Sequence, residues 1–356
     1  MEPLQSLSPA RFETPRILKQ LNTSSRQLAE LKGVVSSIPQ QEILINTLGI
    51  QEAKDSSEIE NIVTTHDELY QEETYPDAIG SSAAKEVNRY RQALHVGYNL
   101  VAHSGLITVN HLCAIQAELI RSQAGIRAFP GTTLKNMNGE TVYTPPQDHA
   151  LIVENLKDLE QFINDSELFD ADPLVKMALI HHQFESIHPF YDGNGRTGRI
   201  LNVLYLVNAG LLDIPVLYLS RPLMKWKSEY YRLLQAVREE DAWEDWVVFM
   251  LTAVENAAQE GCQTIGRIKD VLQRAKHQIR SEHKFYSQDL INHLFSHPYT
   301  KIEFMASELD VSRLTATRYL DALVVSGVLR KAKIGRSNYY INAALWEILA
   351  GENMKN

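Results

Sequence analysis

The chain of 356 residues is 44% hydrophobic and 22% charged, with a formal net charge of −9 at pH 7. That balance suits a globular protein of two or three domains and excludes one that coats nucleic acid along its whole length, though not one with a local basic patch. Two cysteines far apart, Cys113 and Cys262, rule out a disulfide framework and suit a reducing compartment; with no basic-plus-apolar leader before Gln20 and no apolar run long enough for a bilayer, the expectation is a cytoplasmic protein without a membrane partner.

In chain order, Pro3, Pro9 and Pro15 among polar residues predict an extended arm over residues 1–22. From Thr23, Leu28, Leu31 and Val34 or Val35 recur at helical spacing until Pro39 breaks the pattern. A second helical run over 40–48 leads into the segment 51–61, where Ser56 and Glu60 are four residues apart and share one helical face. On charge pattern alone this segment is a solvated helix start. Two amphipathic helices follow between Ser81 and Ile120, one with Val87, Tyr90 and Leu94, the other with Leu112, Ile115 and Leu119, and both read as scaffold. Residues 131–136 and 140–144 predict a hairpin turning at Met137 to Gly139 and closed by Pro145 and Pro146. Ile152, Leu156, Leu159 and Ile163 make another apolar face, and a helix over 174–186 begins after Pro173.

Residues 187–199 then read I-H-P-F-Y-D-G-N-G-R-T-G-R. Taken singly, each residue is ordinary turn and N-cap material; together they describe a polyphosphate site. Gly193 and Gly195 flank Asn194, so the backbone there can take positive φ and converge its amides, and the following helix aims its positive end at the same spot. Arg196 and Arg199 are three apart, on one face of the first turn, where both can reach phosphate oxygens. Asp192 is a hard carboxylate able to hold Mg²⁺, and His188 is the natural general base. These groups suit transfer of a phosphorus-containing group to a hydroxyl. A rival reading pairs His181, Glu185 and His188 at helical spacing as zinc ligands, but Pro189 predicts that the helix ends by His188. Packing and hydrogen bonding are the default roles of His181 and His182.

Downstream, residues 220–246 form a helical stretch with Tyr230, Tyr231 and Arg238, and 248–280 a long helix. Leu290, Ile291 and Leu294 mark a further helix, residues 302–309 another, and Asp310-Val-Ser312 a turn before a third over 313–326. Gly327 ends it, and 328–333 and 337–342 read as strands joined around Gly335 and Arg336. This order resembles a winged helix-turn-helix. Arg313, Arg318, Arg330, Lys331, Lys333 and Arg336 face only Asp321 over that span and could contact DNA phosphates, with Thr315 and Thr317 able to reach base edges. Winged helices also serve as protein-contact modules.

The stretch 187–199 fits H-x-F-x-[DE]-G-N-G-R-x-x-R at His188, Phe190, Asp192, Gly193, Asn194, Gly195, Arg196 and Arg199 and so resembles the Fic family signature. The resemblance implies a mainly α fold: a Fic helical bundle with a β-hairpin flap, here followed by the winged helix-turn-helix domain. It implies domains at 1–100, 101–280 and 281–356. Ser56, Glu60 and Asn61 resemble the family's inhibitory motif [ST]-x-x-x-E-[GN], on a helix at about 54–63, with Glu60 expected to pair with Arg199 and obstruct the γ-phosphate position. The hairpin, with Thr133, Leu134 and Lys135, resembles a flap that docks a target segment by strand addition. Gly193, Asn194, Gly195, Arg196, Thr197, Gly198 and Arg199, with Tyr230, Tyr231 and Arg238, would bind nucleotide; where some relatives have asparagine this chain has Arg238. The implied activity is that of a protein adenylyltransferase moving AMP from ATP, with Mg²⁺ at Asp192, to a Ser, Thr or Tyr hydroxyl of a target protein. A related kinase branch carries lysine at the place of Gly195, so glycine implies AMP rather than phosphoryl transfer. The same residues are compatible with a nucleotide-sensing, DNA-binding transcriptional regulator, or with removal of AMP from a target. A homodimer is a further expected partnership.

Overall fold

The computed structural model describes residues 2–38, 41–69, 81–136, 138–334 and 337–350. The predicted breaker Pro39, the turn residue Met137 and the wing-tip residues Gly335 and Arg336 lie outside them.

The arm expected over residues 1–22 is only partly extended. Two 3-10 turns, Leu4–Ser6 and Pro9–Phe12, bury Leu4 and Phe12, and Phe12 packs edge-on against Phe169 and Trp243. Helix α1 starts well before Thr23, at Pro15–Ser36, because Thr14 caps it by accepting from the Ile17 N–H (3.2 Å) and Pro15 suits the first helical position. The two runs predicted over 40–61 are one helix, α2 (Glu42–Ile59). Its buried residues Leu44, Leu48, Ala53 and Ile59 fall on more than one side, so it is enclosed rather than amphipathic.

Helices α3 (Ser82–Ser104) and α4 (Val109–Ile120) are capped by Ser81 and Thr108. The hairpin strands β1 (Leu134–Lys135) and β2 (Thr141–Tyr143) are antiparallel, with Leu134 opposite Tyr143 and an irregularity before Lys135. Helix α5 (His149–Asn164) leads to α6 (Pro173–Ile187), in which every residue from Leu174 on is buried, and α7 (Asn194–Asn208) packs on it. These two central helices carry the signature residues between them. The stretch predicted over 220–246 is broken at Trp226 and Asp241, giving α8 (Ser220–Lys225) and α9 (Lys227–Glu240). Then α10 (Trp243–Glu282) runs unbroken for 40 residues.

The C-terminal part comprises α11 (Gln288–Ser296), β3 (Tyr299–Thr300), α12 (Ile302–Glu308), α13 (Arg313–Val325), β4 (Arg330–Ile334), β5 (Ser337–Ile341) and α14 (Ala343–Ala350). Its sheet is antiparallel in the order β3-β5-β4, and Ser312 caps α13 by accepting from the Thr315 N–H. The helix-turn-helix and wing are as expected, while β3 and α14 are additions to that reading. The fold is mainly helical, with a small hairpin and a C-terminal domain holding a three-stranded sheet.

Candidate active site

The loop between α6 and α7 is built by its own residues. His188 terminates α6 in the left-handed region (φ 48°), its N–H donating to the Phe184 carbonyl at 3.0 Å. Asn194 accepts from the Phe190 N–H and donates to the Phe190 carbonyl, both at 2.8 Å, which closes the loop. Its side chain is thereby committed to the backbone rather than turned toward a ligand. Gly193 (φ 80°) precedes the first turn of α7, and a Cβ there would lie 2.9 Å from Ile120 Cδ1. Asp192, exposed at the loop mouth, accepts from the Gly193 N–H at 2.6 Å and stands 3.7 Å from Arg196. Arg127, unremarked in the sequence, braces the loop: its Nε donates to the His188 carbonyl (2.8 Å) and its N–H to that of Pro189 (2.9 Å).

Both arginines of the first turn are buried and paired. Arg196 meets Glu86 of α3 at 2.6 Å. Arg199 donates through Nε to Ser56 Oγ (2.8 Å) and through Nη2 to the Ser56 carbonyl (2.9 Å) and to Glu60 (2.8 Å). Glu60 caps the end of α2, so the segment expected to be helical over 54–63 ends as helix at Ile59; Asn61 turns left-handed (φ 63°) and accepts from Lys227 at 3.0 Å. Burial pushes the Glu60 carboxyl up, but Arg199, then Arg196 and Lys227, outweigh it and hold the group below the usual range. Burial likewise opposes the Arg199 charge, and Glu60 outweighs it, so that guanidinium is held firmly protonated. Gly195 stands against Glu60: a Cβ there would run into Glu60 Oε1 and stand 3.1 Å from Arg199 Nη1. Thr197 is buried in the same turn, and a Cβ on Gly198 would lie 2.6 Å from Glu185 Oε1.

Burial, reinforced by the charges of Arg127 and Arg238, pushes the His188 pKa down to about 4, so its ring is neutral near pH 7. Burial also raises Glu185, against the pull of Arg199, to about 7. The default roles of packing and hydrogen bonding hold for the other two histidines: His181 Nε2 bonds the Tyr230 hydroxyl (2.9 Å) and His182 Nε2 the Leu234 carbonyl (3.3 Å). Among the described residues no group of three His, Cys, Asp or Glu side chains could hold a metal.

Tyr230 is buried against Trp246, while its neighbour Tyr231 is 44% exposed. Arg238 donates to Ser186 Oγ (3.0 Å) and lies 3.9 Å from the centre of the Tyr143 ring. Tyr143, on β2, donates to the Ser186 carbonyl (3.0 Å), and Gln235 donates to the Val142 carbonyl (2.9 Å), so α6 and α9 carry the hairpin. Behind it opens a cavity of about 510 Å³ lined by residues including Tyr143, Pro146, Ser186 and Arg238. Thr133 and Lys135 are exposed and Leu134 half-buried along the hairpin.

In the C-terminal domain the basic residues are less free than their spacing suggests. Arg313 pairs with Glu303 (2.8 Å) and Lys331 with Asp321 (2.7 Å), whereas Arg318 is exposed. The Thr315 hydroxyl bonds Ser312 (2.9 Å) and that of Thr317 the Arg313 carbonyl (2.8 Å), so both are engaged within their own helix. No helix among the described residues is long and apolar enough to cross a membrane.

Comparison with known proteins assigns this architecture. Residues 18–99 match the family model "Fic/DOC family N-terminal", residues 106–206 "Fic/DOC family", and residues 271–345 "Protein adenylyltransferase SoFic-like, C-terminal domain". The chain is 33% identical to protein adenylyltransferase fic-1 of Caenorhabditis elegans over 91 residues, 25% of this chain and 16% of that protein. It is also 33% identical to protein adenylyltransferase Fic of Drosophila erecta over 96 residues, 27% and 18%. The matches therefore span less than a fifth of those relatives' length. A Fic family protein from Desulfovibrio desulfuricans shares the fold over 92% of this chain and 96% of its own, at a TM-score of 0.58 and 20% identity. A structure of C. elegans Fic-1 does so over 72% and 75%, at 0.55 and 21%. The chain is a Fic/DOC family protein, with the family's N-terminal region and a SoFic-like C-terminal domain.

Proposed function

We propose that the protein transfers AMP from ATP to a serine, threonine or tyrosine hydroxyl of a target protein, and that Glu60 restrains it in cis. The observation that carries this reading is the grouping at one helix start of a neutral histidine, an exposed carboxylate and two buried arginines, one of them held by a carboxylate from α2.

The neutral ring of His188 accepts the proton of the target hydroxyl. The hydroxyl oxygen then bonds the α-phosphorus of ATP, the bond from that phosphorus to the bridging oxygen breaks, and pyrophosphate leaves. The first amides of α7 face the charge that develops on the phosphoryl oxygens, an arrangement fixed before substrate arrives by the Asn194 clamp on Phe190. Arg196 and Arg199 hold the β- and γ-phosphates, which requires Arg199 to exchange Glu60 for the nucleotide. Asp192 fits a magnesium site, since it is exposed, hard and single, and Mg²⁺ ordinarily takes one or two carboxylates together with phosphates. When bound there, the ion would neutralise phosphate charge. The edges of the hairpin give the target segment a strand to pair with.

The test is transfer of label from α-³²P-ATP to protein by wild type, Glu60→Gly and Glu60→Gly with His188→Ala. Glu60→Gly should label strongly and the double variant should fall by roughly 10²–10⁴-fold. Equal labelling by the two variants would refute the role of His188. ATP binding by Glu60→Gly without any transfer would favour a nucleotide-sensing regulator instead.

A further inference from the structure

The helix that carries the restraint is held from both sides. Glu52, Ser56 and Glu60 follow one another at four-residue spacing on α2 and face the catalytic body. Glu52 accepts from the Tyr90 hydroxyl on α3 and from the Ser220 N–H at the start of α8, each at 3.0 Å, and Ser56 and Glu60 hold Arg199. On the other side α2 is packed against α11 and α14 of the C-terminal domain. There the buried Gln51 donates its side-chain amide to the Leu349 carbonyl of α14. Beyond the restraint, Asp67 accepts from the Tyr299 hydroxyl of β3 at 2.7 Å. The C-terminal domain thus grips the chain before and after Glu60.

We infer that the C-terminal domain is the latch of the inhibitory segment: through Gln51–Leu349 and Tyr299–Asp67 it holds α2 in the register that keeps Glu60 on Arg199. This rests on the proposed inhibitory role of Glu60. Two further features support it. A cavity of about 480 Å³, lined by residues including Asn46, Arg91, His95, Pro215 and His297, lies along the seam between α2, α3 and the C-terminal domain. His297 is the residue of the C-terminal domain that lines it, so the domain covers this side of α2 incompletely, whereas every residue of α6 from Leu174 on is buried. The domain also has a mechanical link to the body: the end of α10 is fastened to α13, with Gln278 donating to the Ser326 carbonyl (2.7 Å) and Phe285 stacked on Tyr319 at 4.1 Å.

The latch is tested in the full chain with Gln51→Ala, Tyr299→Phe and the pair, each with and without Glu60→Gly, by amide hydrogen exchange and by MgATP titration. Neither measurement needs AMP transfer, so failure of Glu60→Gly to label protein would overturn the proposed activity while leaving the latch to be decided here. The expected result is exchange at least tenfold faster over residues 54–62 with α6 and α7 unchanged, and several-fold tighter MgATP binding that disappears as a gain in the Glu60→Gly background. Unchanged exchange over 54–62, or the same gain in affinity with and without Glu60, would overturn the proposal. Should the paired variant lose its fold, Tyr299→Phe, which removes one hydroxyl, decides by the same two criteria.

Discussion

The chain gathers cations in two places and treats them in opposite ways. In the first turn of α7, the Arg196 and Arg199 side chains are 3% and 1% exposed, and each meets a carboxylate brought from more than a hundred residues away, Glu86 or Glu60. Along α13 and β4, Arg313 and Lys331 are 73% and 37% exposed and pair with Glu303 and Asp321, each ten residues distant in sequence. The second arrangement is solvated, salt-screened and worth at most about 1 kcal/mol per pair. The first commits buried guanidiniums to partners supplied by the tertiary fold, and a buried charge that loses its partner costs several kcal/mol. Removal of Glu60 therefore leaves an anion vacancy with a strong demand for a replacement. Under the proposed function, a triphosphate meets that demand.

The contrast can be broken or sharpened by substitution. The largest effect is expected for Arg199→Ala, which strands Glu60 and unties Ser56: stability should fall by roughly 2–4 kcal/mol in urea titrations. A loss within 0.5 kcal/mol would mean that the pair is no more committed than those on the wing.

Next comes Glu185→Gln, which separates burial from charge. Burial holds Glu185 protonated up to about pH 7, whereas an unfolded glutamate ionises near 4.5. Between those values the folded chain keeps a proton that the unfolded chain releases, so stability falls as pH rises through this window and is fully present only below it. Glutamine removes that loss. The variant should gain on wild type by up to about 3 kcal/mol at pH 8 relative to pH 4.5, and a pH-independent difference would contradict the burial argument.

The smallest effect is expected for Glu303→Ala, which frees Arg313 at the exposed face. Stability should change by less than about 1 kcal/mol, and any affinity of the domain for a DNA duplex should rise, most visibly at low salt. A loss of several kcal/mol would erase the distinction between the two clusters.

The same contrast explains what was legible in the sequence. Helices with an apolar stripe and a capping residue, such as α4 after Thr108 or α13 after Ser312, declare themselves because their signals are local. The loop 187–199 does so for the same reason. The sequence of helix α2 looks like two pieces because its apolar residues fall on more than one side, leaving no single period to follow across Gly49. Strand β3 has two residues and α14 eight near the chain end, too little pattern for either. At the site, Glu86 is one acidic residue on an amphipathic helix and Arg127 one arginine in a loop; nothing in their neighbourhoods marks them, because their partners come from α7 and the 188–189 backbone. Asn194 could be placed from sequence but not oriented. Its attachment to Phe190 depends on a loop closure that spacing does not reveal.

The most direct measurement is calorimetric titration of MgATP and MgADP into wild type and Glu60→Gly. If Glu60 occupies the place of the γ-phosphate on Arg199, the substitution should tighten MgATP by at least tenfold, about 1.4 kcal/mol, and change MgADP little. Equal gains for both nucleotides, or none for either, would contradict the account.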